Sequence, residues 1–221
     1  MQPDEKGRAY WNLHATNYDR SMVLIGRPIP RMVELAAEAV RGASRVLEVA
    51  AGTGLVTGAL AREAREVIAT DYSPAMVAAL QARVRVAGLV NVRCEAADLY
   101  ALPFEPGSFD AVVAANVLHL VPDSVGALAA LRRMVKPGGR LIVPTFCHDE
   151  TALSWVVARL LAVTGFPAHR RFTFRSLRES LVSAGLVVSR AEMLPGLIPI
   201  GYVEGTFGEP TGISTSDGAA L

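Results

Sequence analysis

The chain has 221 residues, of which 51% are hydrophobic and 19% are charged, and its formal net charge is +1. This length fits one α/β domain with a real core, and the composition argues against disorder. The near-neutral charge argues against a nucleic-acid partner, because a phosphate-backbone footprint normally needs clustered lysines and arginines.

The N-terminal residues and the most apolar segment of the chain both indicate the subcellular location. The first eight residues are polar and mixed in charge, which argues against a signal peptide, and residues 152–166 are too short to span a bilayer. Cys94 and Cys147 have neither a metal-site spacing nor a disulfide framework. We therefore expect a cytoplasmic protein without a metal ion.

Predicted helices and strands alternate along the chain. Apolar residues at helical spacing predict a helix over 30–40, followed by a strand over 46–49 and a helix over 55–65. Further strands are predicted at 67–70, 90–95, 109–115 and 140–146, with helices at 73–87 and 124–135 and a turn at 136–139. Helices near 152–163 and 176–184 then precede strands at 187–193 and 198–203. Apolar strands separated by helices indicate a parallel sheet covered on both faces.

The turn after the first strand carries Gly52, Gly54 and Gly58. A strand that enters a helix through glycines leaves N–H groups and a helix N-terminus facing a crevice, which favours anionic or nucleotide ligands. Asp71, at the end of the second strand, is placed to bind ribose hydroxyls. A nicotinamide dinucleotide and S-adenosylmethionine both satisfy this pattern.

An acid after the third strand separates the two ligands. Asp98 has no particular use in a dinucleotide enzyme, whereas the adenine of a compact nucleoside ligand offers its exocyclic amine to such a carboxylate. Glu48, inside the first strand, is a carboxylate that must find donors if it is buried. The pattern favours S-adenosylmethionine. An NAD(P)-binding Rossmann oxidoreductase and a non-catalytic cofactor-binding scaffold remain as alternatives.

Several motifs in this order carry a resemblance to a known family. The chain resembles class I S-adenosylmethionine-dependent methyltransferases from residue 48 to about 203, in the small-molecule branch that includes quinone-biosynthesis and phospholipid methyltransferases. The motifs are VLEVAAGTG at 46–54, DYSPAM at 71–76, AD at 97–98, LPF at 102–104, SFDAVV at 108–113 and KPGGRL at 136–141.

The resemblance implies a Rossmann-like, doubly wound α/β fold. Its sheet is expected to have seven mostly parallel strands, an antiparallel last strand and helices on both faces. Residues 1–205 are expected to form one methyltransferase domain, with an N-terminal helical lid at 1–42 and a helical cap at 150–168. Residues 206–221 are expected to form a flexible tail.

The resemblance also implies roles for individual residues, with S-adenosylmethionine as the cofactor. Gly52 and Gly54 admit its methionine part, and Glu48 organises that loop. The remaining cofactor contacts are expected from Tyr18 in the lid, Asp71 at the ribose, Tyr72 and Met76 at the adenosine, Asp98 and Leu99 at the adenine, and Asn116 at the methyl-transfer crevice. Ala50 replaces the loop's first glycine, and we expect its φ angle to be negative, since only glycine adopts positive values freely.

The implied reaction is methyl transfer by in-line displacement to an oxygen, nitrogen or sulfur atom of a small, rather apolar acceptor. A sulfonium methyl is already activated, so positioning and desolvation supply most of the rate enhancement. His119 is the candidate base for an acceptor that arrives protonated. Trp155 in the predicted cap is expected to contact the acceptor. Peripheral membrane contact is expected only for a lipid acceptor, and the oligomeric state is left open.

Overall fold

The computed structural model describes residues 5–15, 27–163 and 166–208. The described residues form one sheet of eight strands. The strands are β1 (Arg45–Val49), β2 (Glu66–Asp71), β3 (Val92–Ala96), β4 (Phe109–Val113), β5 (Val135–Ile142), β6 (Thr145–Phe146), β7 (Leu186–Leu194) and β8 (Ile200–Phe207). The helices are α1 (Glu5–His14), α2 (Ile29–Ala39), α3 (Thr57–Glu63), α4 (Pro74–Val86), α5 (Ser124–Met134), α6 (Ala152–Val163) and α7 (Phe174–Ser183).

The strand order confirms the doubly wound fold predicted from the sequence. Strands β3, β2, β1, β4 and β5 lie side by side in that order and are parallel. Strand β8 runs antiparallel next to β5, and β7 runs antiparallel on the far side of β8. The order reverses at β1, so the crevice at the carboxyl ends of β1 and β4 is where such sheets bind ligands.

The strand count differs from the expected seven because the fifth strand is divided. Both β5 and β6 pair with the same side of β8, and the N–H of Val143 donates to Val203 between them at 2.8 Å. Pro144, which has no N–H to donate, stands at the break. The predicted turn at 136–139 lies inside β5, where the pairing with β4 shifts register between Phe109 and Ala111.

Helices cover both faces of the sheet with separate hydrophobic clusters. One cluster packs α5 and α7 on the face that carries Leu47, Val112 and Leu141. The other packs α2 and α3 on the face that carries Val46 and Ala111, among other residues. Residues that alternate along a strand point to opposite faces, so both faces are buried and the strands are apolar throughout.

Helix starts at the carboxyl edge follow local capping chemistry. Helix α4 begins as predicted at Ser73-Pro74, with the Ser73 hydroxyl accepting the N–H of Met76 at 3.2 Å.

Strand β8 extends to Phe207, two residues beyond the expected domain boundary at 205, and residues 209–221 lie outside the described part. No helix in the described residues is long and apolar enough to cross a membrane.

Candidate functional site

A cavity of about 510 Å³ opens at the carboxyl edge of the sheet. It is large enough for a nucleoside-sized ligand, since small-molecule sites commonly enclose about 300–1,000 Å³. Its walls come from the ends of β1, β2 and β4, from the segment after β3, and from helices α1, α4 and α5. The residues among them that the sequence predicted as cofactor contacts are Ala50, Gly52, Asp71, Tyr72, Met76, Asp98, Leu99 and Asn116.

Asp71 holds the glycine turn and faces the cavity at the same time. One carboxylate oxygen accepts the N–H of Gly52 at 2.9 Å, and the other accepts the N–H of Ser73 at 2.9 Å. Burial raises the pKa of Asp71, while these backbone hydrogen bonds lower it. A carboxylate has about four lone-pair positions, and Gly52, Ser73 and a further backbone contact from Tyr72 use three of them, so acceptor capacity remains for a ligand hydroxyl.

Asp98 lies in the next wall of the cavity. Its Oδ1 accepts the N–H of Tyr100 at 2.9 Å, which starts the short 3₁₀ turn of Leu99–Ala101. No residue in the described part donates to Oδ2. The Tyr100 hydroxyl donates to the carbonyl oxygen of Asp123 at 2.9 Å and accepts the N–H of Asp123 at 3.1 Å. Tyr100 therefore fixes the start of α5 against the cavity.

The glycine turn differs from the sequence prediction at Ala50. Its φ angle is +51°, in the left-handed region, whereas we expected a negative value. The prediction was wrong because two consecutive N–H groups after Ala50 have fixed partners. The N–H of Ala51 continues the β1–β2 ladder by donating to the carbonyl oxygen of Thr70 at 2.9 Å, and the N–H of Gly52 donates to the Asp71 carboxylate. A non-glycine residue in this region is strained by roughly 1–3 kcal/mol, and such strain concentrates at functional sites.

Gly54 lies behind the cavity wall. Its φ angle is +87°, and an added Cβ would lie 2.6 Å from Cδ1 of Leu80 in α4. Gly54 is absent from the cavity lining, so its requirement for glycine comes from its left-handed backbone and from close packing against α4.

Glu48 is likewise sealed away from the cavity. Its side chain is buried and accepts the hydroxyl of Thr57 at 2.6 Å. Burial raises its pKa to about 8, the hydrogen bond from Thr57 lowers it, and the charge of Asp71 raises it further. The structure thus places a largely protonated carboxyl behind the glycine turn, where it does not line the cavity.

Asn116 and His119 follow β4 but occupy different environments. Asn116 lines the cavity with a φ angle of +53°, and its Oδ1 is buried without a partner in the described residues. His119 is buried outside the cavity lining, with its ring centroid 5.0 Å from that of His148. Burial lowers the pKa of His119 well below its usual value, and His148 lowers it further.

Helix α1 forms part of the cavity wall. Trp11 lines the cavity, and the Asn12 side chain accepts the hydroxyl of Ser73 at 2.6 Å. Phe166 meets Trp11 edge-on at 6.0 Å. Trp155, expected to contact the acceptor, instead lies 43% exposed beneath the guanidinium of Arg159. Tyr18, the expected lid tyrosine, lies outside the described residues.

The sequence interpretation missed the wall between β4 and α5. Val117, Leu120, Val121, Pro122 and Asp123 from this segment line the cavity, together with Tyr100 after β3 and Gly126 in α5. The local signal was Asp123, whose carboxylate caps α5 by accepting the N–H of Gly126 at 2.9 Å. No group of three or more potential metal ligands occurs among the described residues, and both cysteines are free.

Known proteins match the chain over its sheet and beyond. A family profile described as a methyltransferase domain matches residues 47–143. The demethylmenaquinone methyltransferase of Beutenbergia cavernae is 40% identical over 116 residues, which cover 52% of this chain and 46% of that protein. The chain spans about half the length of several curated relatives that it matches.

Two further matches extend over most of both chains. The ubiquinone/menaquinone biosynthesis C-methyltransferase of a Marinomonas species is 32% identical over 194 residues, which cover 80% of this chain and 77% of that protein. The solved structure of DhpI in complex with SAH has a TM-score of 0.71 and 27% identity, covering 93% of this chain and 97% of that one. Because the Marinomonas match is 32% identical and covers 80% of this chain and 77% of that protein, the chain belongs to the class I S-adenosylmethionine-dependent methyltransferases.

Proposed function

We propose that this protein transfers a methyl group from S-adenosylmethionine to an oxygen, nitrogen, sulfur or carbon atom of a small, rather apolar molecule. The observation that carries the proposal is that Asp71 and Asp98, from neighbouring strands, line one cavity. An adenosine carries hydroxyl donors on its ribose and an amine donor on its adenine, and the two carboxylates can accept one end each.

The acceptor capacity of the two carboxylates fits this cofactor. Asp71 keeps acceptor capacity after its backbone contacts with Gly52, Ser73 and Tyr72, which suits a ribose hydroxyl. Asp98 keeps Oδ2 for an amine. When bound, the cofactor supplies a methyl group on a positively charged sulfur. The chain's own residues then bind the nucleoside, orient the acceptor and exclude water.

The walls of the cavity support an apolar acceptor. Trp11, Val117 and Leu120 line the cavity together with Asn116. The relatives named above carry quinone precursors in their names, which supports a small organic acceptor and adds carbon to the possible acceptor atoms. A cytoplasmic location, and the absence of a nucleic-acid partner, remain part of this proposal.

Calorimetric titration tests the cofactor assignment. We expect the protein to bind S-adenosylhomocysteine and to show no binding of NADPH. Asp71→Asn replaces one acceptor oxygen by an N–H donor and should weaken S-adenosylhomocysteine binding about 10- to 100-fold, the effect of losing a hydrogen bond to a charged group. Asp98→Asn should weaken it by a smaller factor.

A matched control separates this loss from general destabilisation. Asp110 also accepts a backbone N–H, from Arg45 at 2.7 Å, but does not line the cavity. Asp110→Asn should therefore leave the affinity unchanged. Tight NADPH binding would support the oxidoreductase instead, and unchanged affinity in Asp71→Asn would refute the ribose assignment. Binding without methyl transfer to any amine, thiol, phenol or quinol acceptor would indicate the non-catalytic scaffold.

A further inference from the structure

Buried polar atoms without partners cluster after β4 and β6. In the part of the chain that the structure describes, six buried side-chain nitrogen or oxygen atoms lack a hydrogen-bond partner. Four of them belong to Asn116, His119, Thr145 and His148. The two segments are adjacent, since the N–H of Asn116 donates to the carbonyl oxygen of Pro144 at 2.8 Å.

A cluster of unpaired buried polar atoms indicates that water or a ligand binds beside it. One unpaired buried polar group costs about 1–3 kcal/mol, so native proteins rarely keep several side by side. Water or a ligand that supplies hydrogen bonds relieves this cost. The position of the cluster, beside the cavity wall formed by Asn116, places the missing partner close to the proposed site of methyl transfer.

The two histidines form a neutral pair in an aromatic environment. His119 is 1% exposed and His148 is 3% exposed. Phe146 and Phe166 lie 5.8 Å and 6.3 Å from the His119 ring, centroid to centroid. Burial lowers the pKa of both imidazoles, that of His148 to about 4. Each ring therefore offers one N–H donor and one acceptor nitrogen near neutral pH.

A second, small cavity adjoins this pair. It measures about 40 Å³ and is lined by His148, Phe166 and Arg171 together with Ala158, Leu161 and Ala168. This volume admits one or two water-sized groups. The Arg171 guanidinium has no ion-pair partner among the described residues, and its charge lowers the pKa of His148. The small cavity thus presents one cation and one neutral imidazole within an apolar wall.

Aromatic side chains separate the small cavity from the large one. Phe166 lines the small cavity, Trp11 lines the large one, and their rings meet edge-on at 6.0 Å. His119 lies between Phe166 and His148. An acceptor that reaches past these rings would have its apolar body beside Trp11 and a polar end at Arg171.

We propose that His119, His148 and Arg171 form an acceptor-recognition subsite for an acidic oxygen, that is, a carboxylate, phenolate or enolate of the methyl acceptor. The guanidinium supplies the charge and the His148 imidazole supplies a hydrogen bond, since both line the small cavity, while His119 lies behind His148 and positions it. The proposal deepens and rests on the proposed methyl transfer. It makes His148 and Arg171 specificity-determining residues, whereas the reacting atom lies at the Asn116 side.

Ligand titrations on the protein saturated with S-adenosylhomocysteine test the subsite. The probes are benzoate with its neutral isostere benzamide, and 4-nitrophenolate with nitrobenzene, so that carboxylate and phenolate recognition are measured separately. The ring nitrogens of the histidines are followed by NMR after ¹⁵N labelling. We expect at least one anion to bind at least tenfold more tightly than its neutral partner and to shift the signals of His119 and His148, but not those of His14.

Variants assign the effect to named groups. Arg171→Gln should reduce anion affinity at least tenfold, to the level of the neutral probe, and His148→Phe should abolish the shift at His119. Arg175→Gln, which changes an exposed arginine nearby, should leave anion affinity unchanged. Thermal unfolding confirms that each variant is folded, and the less disruptive His148→Gln replaces His148→Phe if the latter is not.

Three results would overturn the proposal. They are equal binding of anions and neutral isosteres, full anion affinity in Arg171→Gln, and unmoved histidine signals with every probe, which would assign the unpaired atoms to water. Failure of the proposed function is recognised separately, because it appears as absent S-adenosylhomocysteine binding in the wild-type protein before any probe is added.

Discussion

Replacing Glu48 by glutamine should remove a large pH-dependent loss of stability. The Glu48 carboxyl is buried in β1 and accepts the hydroxyl of Thr57 at 2.6 Å. Burial raises its pKa to about 8, from an ordinary value of 4.5. In the unfolded chain the same carboxyl loses its proton near the ordinary value, so the native state binds this proton more tightly.

The sign and size of the effect follow from this difference. Below pH 4.5 both states are protonated, and the stabilising effect of the bound proton is fully present. Between 4.5 and about 8 only the unfolded state ionises, so the free energy of unfolding falls as pH rises. One pH unit corresponds to about 1.4 kcal/mol, so the total loss is about 5 kcal/mol and levels off above pH 8.

Urea unfolding between pH 5 and pH 9 measures the effect. Glu48→Gln keeps the size of the side chain and cannot ionise, so its stability relative to wild type should rise by several kcal/mol across this range. The control Glu66→Gln changes a partly exposed carboxylate that pairs with Arg45, and its difference from wild type should stay nearly constant. A pH-independent difference for Glu48→Gln would refute the reasoning. Because Glu48 does not line the cavity, S-adenosylhomocysteine affinity should be unchanged.

Two further substitutions probe the loop and the N-terminal helix. Ala50→Gly relieves a left-handed backbone strain of about 1–2 kcal/mol against an entropy cost of about 0.5–1 kcal/mol. Urea unfolding should therefore show stability equal to wild type or up to about 1.5 kcal/mol higher. A clear loss would contradict the positive φ angle. Asn12→Ala removes the acceptor for the Ser73 hydroxyl and should speed hydrogen exchange in α1 about fivefold, corresponding to about 1 kcal/mol. The control Leu13→Ala changes an exposed side chain in the same helix and should leave the exchange rates unchanged. Equal exchange rates in both variants would argue against the contact between Asn12 and Ser73.

Features that depend on residues close together in the chain can be predicted from the amino-acid sequence. Ser73-Pro74 predicts a helix start because a capping hydroxyl and a proline act within one turn, and α4 begins there. Apolar strands alternating with helices predict a parallel sheet. The carboxyl ends of parallel strands meet at one edge of the sheet, so the sequence predicts that Asp71 and Asp98 lie at the same site, and both line the large cavity.

Which side chains face the cavity and which lie behind it depends on contacts between residues that are far apart in the chain. Glu48 is sealed off because Thr57, from the following helix, occupies its side of the strand. The positive φ angle of Ala50 accompanies the hydrogen bond of the next residue, Ala51, to Thr70 on another strand. The environment of His119 includes His148, which follows β6 and lies beside it in the fold. Strand register and long-range packing set these contacts, and no local pattern in the chain encodes them.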